Sequence, residues 1–293
     1  MSDNNTVVLE FKKPSQLKEI WRRLKKDKLA IFGLTVIVLM ILLAIGADLA
    51  ADYDSVIKVN VKHRLQWPSA EHWFGTDSYG RDLFARCLHG ARISLSIGFA
   101  AAAVATVGGS LIGAMTGYIG GRFDTVVMRI IDIISAIPPT LLALAVVAAL
   151  GPGAIKLLLA LSFTTTPGFV RIVRSAVLGI AEQEYIEACR AGGTSTWRIL
   201  TKHILPNAIG TVIVQGTLVV SHMIRTIATL SFLGLGINPP TPEWGVLISE
   251  AKEFLRTSPY MMMFPAGMLC LTAFAISVFG DGLRDALDPR LKS

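Results

Sequence analysis

Long uncharged apolar runs, separated by short polar stretches, make up most of this chain. A helix needs about 20 mostly apolar residues to cross a bilayer. Runs that reach or approach this length predict transmembrane helices at residues 29–47, 93–118, 126–150, 154–173, 208–232 and 260–279. The first run is too long for the apolar part of a cleaved signal peptide, so we expect it to be retained. The pattern predicts an all-α polytopic membrane protein with six transmembrane helices.

Two of the predicted spans contain interruptions. Pro138 and Pro139 should kink or break the third span in mid-membrane, which requires protein or a cavity beside the break. In the fourth span, Thr164 to Thr166 come directly before Pro167. Their hydroxyl groups could line a polar path, or they could bond back to the preceding helical turn. Both interpretations are open from the sequence.

Composition and charge agree with a membrane protein and orient it. The chain is 52% hydrophobic and 17% charged, whereas about 25% of a soluble domain is charged. Basic cytoplasmic loops explain the net charge of +7, so we expect no nucleic-acid partner. Placing both termini in the cytoplasm puts about twice as many Lys and Arg residues inside as outside, which favours that orientation. Near the start of the third span, Arg129 and Asp132 could form an ion pair.

A polar, basic stretch at residues 181–207 separates the fourth and fifth spans. Three glutamates favour the start of a helix there, because the helix dipole stabilises carboxylates at that end: Glu182, Glu184 and Glu187. Gly192 and Gly193 can end this helix in a left-handed conformation, and one of residues 194–196 can cap a second helix. The apolar stripe of that second helix would be Trp197, Leu200 and Ile204. The stretch is typical of a helical hairpin that docks a soluble partner.

Residues 48–91 form a polar segment before the second span. Asp82 can cap a short amphipathic helix, and we expect this helix to lie at the membrane interface and lead into the span. A metal site built from Asp77, Asp82 and His89 matches no known metal-binding loop. The three cysteines are scattered and are expected to be small apolar fillers. We therefore expect no metal site.

The stretch at residues 181–207 resembles the EAA loop of ABC-importer permeases. That pattern is Glu-Ala-Ala, three residues, Gly, nine residues and Ile-x-Leu-Pro. The corresponding positions in this chain are Glu187, Ala188, Cys189, Gly193, His203, Leu205 and Pro206. Cys189 replaces an alanine and His203 replaces an isoleucine, and the His-Ile-Leu-Pro-Asn ending is similar to the peptide-importer branch.

Three further segments resemble the second permease of dipeptide, oligopeptide and nickel importers. They are FGTDSYGRDLFAR before the second span, SFLGLGINPPTPEWG after the fifth, and LRDALDPRL near the C-terminus. The resemblance implies a type I (MetI-like) importer fold with its transmembrane domain at residues 92–281. The other predicted parts are a cytoplasmic tail at 1–28, a first anchor at 29–47, an extracytoplasmic segment at 48–91 and a cytoplasmic tail at 282–293.

The resemblance also implies a complex in the cell membrane. Its other members would be a partner permease, two ATPase subunits and an extracytoplasmic substrate-binding protein. The sequence contains no Gly-Lys-Ser/Thr phosphate-binding loop, so we expect no ATP site, no cofactor and no enzymatic activity on this chain. Glu187 would make a polar contact with an ATPase and Gly193 would form the turn. In the alternative interpretation, Glu187 is only a solvated carboxylate at a helix start.

Arg225 is the one charge in the middle of a predicted span, where a charge requires a wet cavity or a partner. His222 lies three residues earlier on the same helix face. Arg225 could line the translocation path and attract a peptide carboxylate, or it could snorkel outward or pair with an acid on the partner permease. Thr165 and Pro138 complete the candidates for the path.

The predicted function is that of a permease subunit for short peptides. Nickel or a metal chelate is the alternative cargo, because nickel importers share this branch and because imidazole side chains such as His203 and His222 can bind metal ions. A membrane enzyme would need convergent catalytic groups, and a secondary transporter would need repeated halves. Neither feature is evident in the sequence, and neither would explain the EAA loop.

Overall fold

The computed structural model describes residues 16–287. Within this range every regular element is helical, and one isolated β-bridge joins Thr76 to Asp82. Residues 1–15 of the predicted N-terminal tail and residues 288–293 of the predicted C-terminal tail lie outside the described part.

Helices follow one another along most of this range. In chain order they are α1 Gln16–Leu24, α2 Lys28–Ile45, α3 Ala47–Ala50, α4 Tyr53–Ile57, α5 Leu83–Ile119, α6 Gly121–Ser135, α7 Pro139–Leu150, α8 Ala154–Ala181, α9 Glu184–Ala191, α10 Thr196–Ile199, α11 Leu205–Phe232, α12 Trp244–Ala251 and α13 Tyr260–Leu287. Short 3-10 turns lie at Val61–His63 and Lys252–Phe254, and a π-helical turn lies at Leu200–Ile204.

Five helical segments in the described range are long and apolar enough to cross a membrane. They are α2, α5, α8, the continuous helix Thr196–Phe232, and α13. Helices α6 and α7 also pass this test as a pair, but they are bent by 82°. If that pair counts as one broken span, the described chain has six, which agrees with the predicted polytopic helical fold.

The break between α6 and α7 lies at the two prolines. Pro138 is extended, with ψ of 131°, and Pro139 is in the first turn of α7. A proline disfavours helical geometry in the residue before it and cannot donate a backbone hydrogen bond. The predicted interruption of the third span is therefore confirmed.

The second span differs from the prediction at its start. Asp82 caps a helix as expected, accepting a hydrogen bond from Ala85 N at 2.9 Å. That helix is not a separate interfacial element, however, because α5 continues for 37 residues to Ile119. Residues 83–93 contain no proline, and Gly90 packs against Trp244 without interrupting the helix. Because no residue there ends the helix, the first turns of α5 are continuous with the second span.

Other spans also extend beyond their apolar runs. Helix α8 continues to Ala181 and α13 to Leu287, past the predicted ends at residues 173 and 279. Arg171 and Arg174 can lie within α8 because acids on α6 neutralise them: Arg171 bonds Asp132 at 2.8 Å and Arg174 bonds Asp124 at 2.6 Å. The expected pair between Arg129 and Asp132 is therefore wrong, because Asp132 pairs with α8.

Close packing of α5 on α8 positions the centre of the bundle. Gly109, Gly113 and Gly117 form a stripe on α5 that faces α8. A methyl group on Gly113 would lie 2.7 Å from Val170 O, and one on Gly117 would lie 2.9 Å from Arg174 O. Small residues in such stripes let two helix backbones approach within a membrane.

Candidate coupling loop and translocation path

The polar stretch at residues 181–207 folds as a hairpin, which we call the coupling loop. Its first helix, α9, begins at Glu184, with Glu184 and Glu187 in the first turn. Glu182 lies outside this helix, at the C-terminal end of α8. Two of the three glutamates are therefore placed as the helix dipole favours.

Gly193 makes the turn that ends α9. Its φ is +71°, in the left-handed region, whereas Gly192 has an ordinary φ of −75°. Two backbone hydrogen bonds close the turn, from Gly193 N to Arg190 O and from Thr194 N to Cys189 O, each 3.0 Å long. A side-chain carbon at Gly193 would have no atom of the described residues within 4 Å, so the backbone conformation is what favours glycine there.

The second half of the coupling loop joins the fifth span directly. Ser195 is at the cap position of α10 without a side-chain capping bond, and a π-helical turn connects α10 to α11. Leu200 and Ile204 are buried as predicted, but Trp197 is 63% exposed. The buried residues in this half are Ile199, Leu200, Ile204 and Ala208, and Trp197 is not among them.

The predicted EAA positions differ in their exposure. Glu187, Ala188, Gly193 and Pro206 are exposed, and Cys189, His203 and Leu205 are partly buried. The Glu187 carboxylate makes no hydrogen bond or ion pair with any of the residues that the structure describes. The loop therefore presents a free carboxylate next to exposed backbone and small side chains.

Three contacts fasten α9 to the rest of the molecule. Ile186, directly before Glu187, is fully buried. Asn207 Nδ2 donates to Tyr185 Oη at 3.2 Å, which joins α9 to the first turn of α11. The Arg190 guanidinium stacks 4.7 Å from the centre of the Tyr118 ring, at the end of α5. Sequence reasoning does not identify these contacts, because no local pattern signals them.

Arg225 lies on α11 beside a recess of about 430 Å³ that is also lined by Thr229 and Phe232. Its Nη1 donates to Ser221 Oγ at 2.5 Å, one helical turn earlier. Ser221 Oγ in turn donates to Ala273 O on α13 at 2.8 Å. No acid pairs with Arg225 within residues 16–287.

Of the other path candidates, His222 lies near Arg225 on α11, whereas Thr165 lies on α8 and Pro138 at the α6–α7 break. Thr165 Oγ1 contacts Met223 Sδ at 3.9 Å, across the interface with α11. Its neighbours Thr164 and Thr166 bond back to carbonyl groups on their own helix, which was one of the two predicted alternatives. His222 is exposed on α11 and Pro138 is exposed at the α6–α7 break.

A buried charge network, missed by sequence reasoning, connects the start of α5 to α12. Arg86 is fully buried, and its Nη1 bonds Asp77 Oδ2 at 2.5 Å and Glu250 Oε2 at 2.7 Å. Arg81 Nε bonds the same Asp77 oxygen at 2.6 Å. Asp77 therefore serves as an ion-pair partner. His89 bonds Ala51 O at 2.9 Å, so the rejected combination of Asp77, Asp82 and His89 is not a metal cluster.

A second buried carboxyl holds α12 against α5. Glu243 caps α12 and accepts hydrogen bonds from Val246 N at 3.1 Å and Ser94 Oγ at 2.9 Å. Burial raises the pKa of the Glu243 carboxyl above its ordinary value. Trp244 is fully buried beside it and donates its indole N–H to Cys87 O at 3.1 Å. The signature that ends in Glu-Trp-Gly thus folds α12 back onto the second span.

Two known protein families match this chain, and together the matches span most of it. Residues 109–293 match the family described as "Binding-protein-dependent transport system inner membrane component". Residues 15–68 match the family described as "N-terminal TM domain of oligopeptide transport permease C".

Relatives that are transport permeases align over nearly the whole length. The dipeptide transport system permease protein DppC of Alkalihalophilus pseudofirmus is 45% identical over 95% of this chain and 91% of its own. The oligopeptide transport system permease protein OppC of Bacillus subtilis is 43% identical over 94% and 90%. The glutathione transport system permease protein GsiD of Escherichia coli is 41% identical over 96% and 94%. The chain therefore belongs to the family of binding-protein-dependent transport system inner membrane components, and it is a multi-pass membrane permease.

Proposed function

We propose that this chain and a second permease subunit form the translocation path of an ATP-driven importer of short peptides. The three relatives are permeases for dipeptides, oligopeptides and glutathione, and glutathione is itself a tripeptide. Peptide chemistry is therefore common to all three. The other proposed members of the complex are two ATPase subunits and an extracytoplasmic substrate-binding protein.

The proposed orientation places both termini and the coupling loop in the cytoplasm of the cell. The distribution of Lys and Arg residues supports this orientation. Residues 48–91 and α12 then lie at the outer face, and residues 92–281 form the transmembrane domain. ATP hydrolysis takes place on the separate ATPase subunits, since this chain has no phosphate-binding loop.

One observation carries the proposal: the coupling loop exposes Glu187, which pairs with none of the described residues, on a helix that contacts two spans. Ile186 anchors α9 in the core, Tyr185 joins it to Asn207 on α11, and Arg190 joins it to Tyr118 on α5. A helix that served only as a connection would not need an exposed face and three separate anchors.

These contacts define how force would pass into the membrane. An ATPase bound to α9 would move when it binds ATP. This movement would displace the start of α11 and the end of α5 together. Helix α5 carries α8 with it, because the glycine stripe holds their backbones in close contact. The spans would then change between an inward-facing and an outward-facing arrangement. The ATPase would shift this equilibrium because its ATP-bound form prefers one of the two arrangements.

Arg225 is proposed to line the path. It has no acidic partner in the described chain, it lines a recess, and Ser221 holds it in place. A charge in a span requires a wet cavity or a partner of opposite charge. The carboxylate of a peptide satisfies that requirement during transport, and an acid on the partner permease is the competing explanation.

The proposal is tested by reconstituting the chain with its partner permease, ATPases and binding protein in lipid vesicles. We expect uptake of a radiolabelled dipeptide or tripeptide that requires both ATP and the binding protein. Uptake of radioactive nickel without peptide uptake would contradict the proposed cargo but not the importer. ATP-independent uptake by this chain alone would contradict the importer itself.

A further inference from the structure

A cluster of potential metal ligands lies outside the coupling loop and the path. His63 ends the 3-10 turn Val61–His63, and Glu71 and His72 lie in the loop before α5. Each of these three residues offers one ligand atom, and those atoms all lie within 4.8 Å of one another. The two imidazole rings meet edge to face, with their centres 5.7 Å apart.

Two imidazole nitrogens in this cluster are buried and have no hydrogen-bond partner among residues 16–287. They are His63 Nδ1 and His72 Nε2. A buried polar atom without a partner costs stability, so most such atoms in folded proteins are satisfied by protein, water or an ion. The two rings contact each other and a carboxylate is within reach, so one shared ligand would satisfy both nitrogens.

Asp82 fixes the tautomer of His72. Its Oδ2 lies 2.7 Å from His72 Nδ1, and a carboxylate can only accept a hydrogen bond. Nδ1 therefore carries the proton and the lone pair of the neutral ring is on Nε2, the unpartnered atom. Metal-binding histidines commonly donate their other ring N–H to a carboxylate in this way.

The backbone around the two histidines is held in place before any ion binds. His63 O accepts a hydrogen bond from the Thr76 hydroxyl group. In the loop, Ser69 N donates to His72 O at 2.8 Å and His72 N donates to Ser69 Oγ at 3.1 Å. Glu71 is exposed, so an ion can reach the cluster from solvent.

We propose that His63, Glu71 and His72 bind one divalent transition-metal ion of the Zn²⁺ class. Two imidazole nitrogens and one carboxylate oxygen suit zinc, and a water molecule would complete a four-coordinate site. Asp82 also caps α5 by accepting from Ala85 N, so the ion ties the turn at His63 to the start of the second span through His72. This site does not depend on the cargo or on the direction of transport.

The test uses the full chain, purified in detergent with an affinity tag that contains no histidine and then stripped with a chelator. We expect one Zn²⁺ per chain at micromolar affinity or better in competition with a chromophoric chelator. Co²⁺ should give the visible absorption of a four-coordinate site, and Zn²⁺ should displace it.

Three variants and one control define the ligands. His72→Gln and Glu71→Gln should weaken Zn²⁺ binding by at least about 100-fold, as the loss of a direct ligand. Asp82→Asn keeps a capping side chain but loses the carboxylate, and it should weaken binding by about 10–100-fold. Glu184→Gln, which alters an exposed glutamate in α9, should leave Zn²⁺ affinity unchanged.

Two results would overturn the proposal. One is the absence of stoichiometric Zn²⁺ binding by a wild-type chain that is monodisperse and helical by circular dichroism. The other is equal Zn²⁺ affinity in wild type and Glu71→Gln, a variant whose exposed position leaves the fold intact.

Discussion

Replacing Gly113 by alanine should weaken the packing of α5 on α8, whereas the same change at Gly108 should not. A methyl group on Gly113 would lie 2.7 Å from Val170 O and 3.1 Å from Arg174 N. These are backbone atoms of α8, so no side-chain rotation can relieve the overlap. A methyl group on Gly108, on the same helix, would have no atom of the described part of the chain within 4 Å.

The comparison of the two variants isolates the packing cost. Alanine stabilises a helix by about 0.8–1 kcal/mol relative to glycine, and both variants gain this term. Inserting a methyl group into a closely packed interface costs about 1–3 kcal/mol, and only Gly113→Ala incurs this cost. Gly113→Ala should therefore be less stable than Gly108→Ala by about 1–3 kcal/mol.

Thermal unfolding of the two detergent-purified variants, followed by circular dichroism, measures this difference. Wild type provides the reference, and we expect Gly108→Ala to unfold at or above its temperature and Gly113→Ala below that of Gly108→Ala. Equal midpoints for the two variants would show that α5 and α8 do not meet along the glycine stripe.

Three further predictions concern the coupling loop, the path and the outer face. Gly193→Val should disrupt the turn after α9 and lower peptide-coupled ATP hydrolysis, because a left-handed conformation costs a residue with a side chain about 1–2 kcal/mol. Gly193→Asn should keep most of this activity, because asparagine tolerates the left-handed conformation. Equal activity of the two variants would contradict the role of the turn. Arg225→Ala should reduce peptide uptake by the assembled complex while Arg225→Lys retains part of it, and unchanged uptake by the alanine variant with intact assembly would exclude Arg225 from the path. Burial raises the pKa of the Glu243 carboxyl, so its contribution to stability is present below the unfolded pKa of about 4.3 and is lost as pH rises through the folded pKa. The thermal stability of wild type should therefore fall relative to Glu243→Gln as pH rises above about 4, and parallel pH profiles would contradict this.

Features controlled by local chemistry could be predicted from the sequence. The break at Pro138 and Pro139 follows from the missing backbone donor, and the cap at Asp82 follows from its side chain before an apolar run. The left-handed turn at Gly193 likewise depends on one residue type. These predictions needed no knowledge of the neighbouring helices.

Features controlled by packing between distant segments could not be predicted. Asp132 has a basic residue three positions away in sequence, but it pairs with Arg171 because α6 lies beside α8. Arg86 pairs with Glu250, and Tyr185 contacts Asn207, through the tertiary fold alone. The unbroken helix α5 was also not predicted, because two of its early polar residues, Arg86 and Ser94, are buried against α12 and its cap.

The central claim is that Glu187 transmits the action of an ATPase to the spans. Glu184 provides a matched control, since it lies in the same turn of α9 and is also an exposed glutamate. The direct measurement is ATP hydrolysis by the reconstituted complex, with and without the peptide-loaded binding protein. We expect Glu187→Ala to lose the stimulation by loaded binding protein, and Glu184→Ala to retain it. Equal stimulation of both variants would contradict the account.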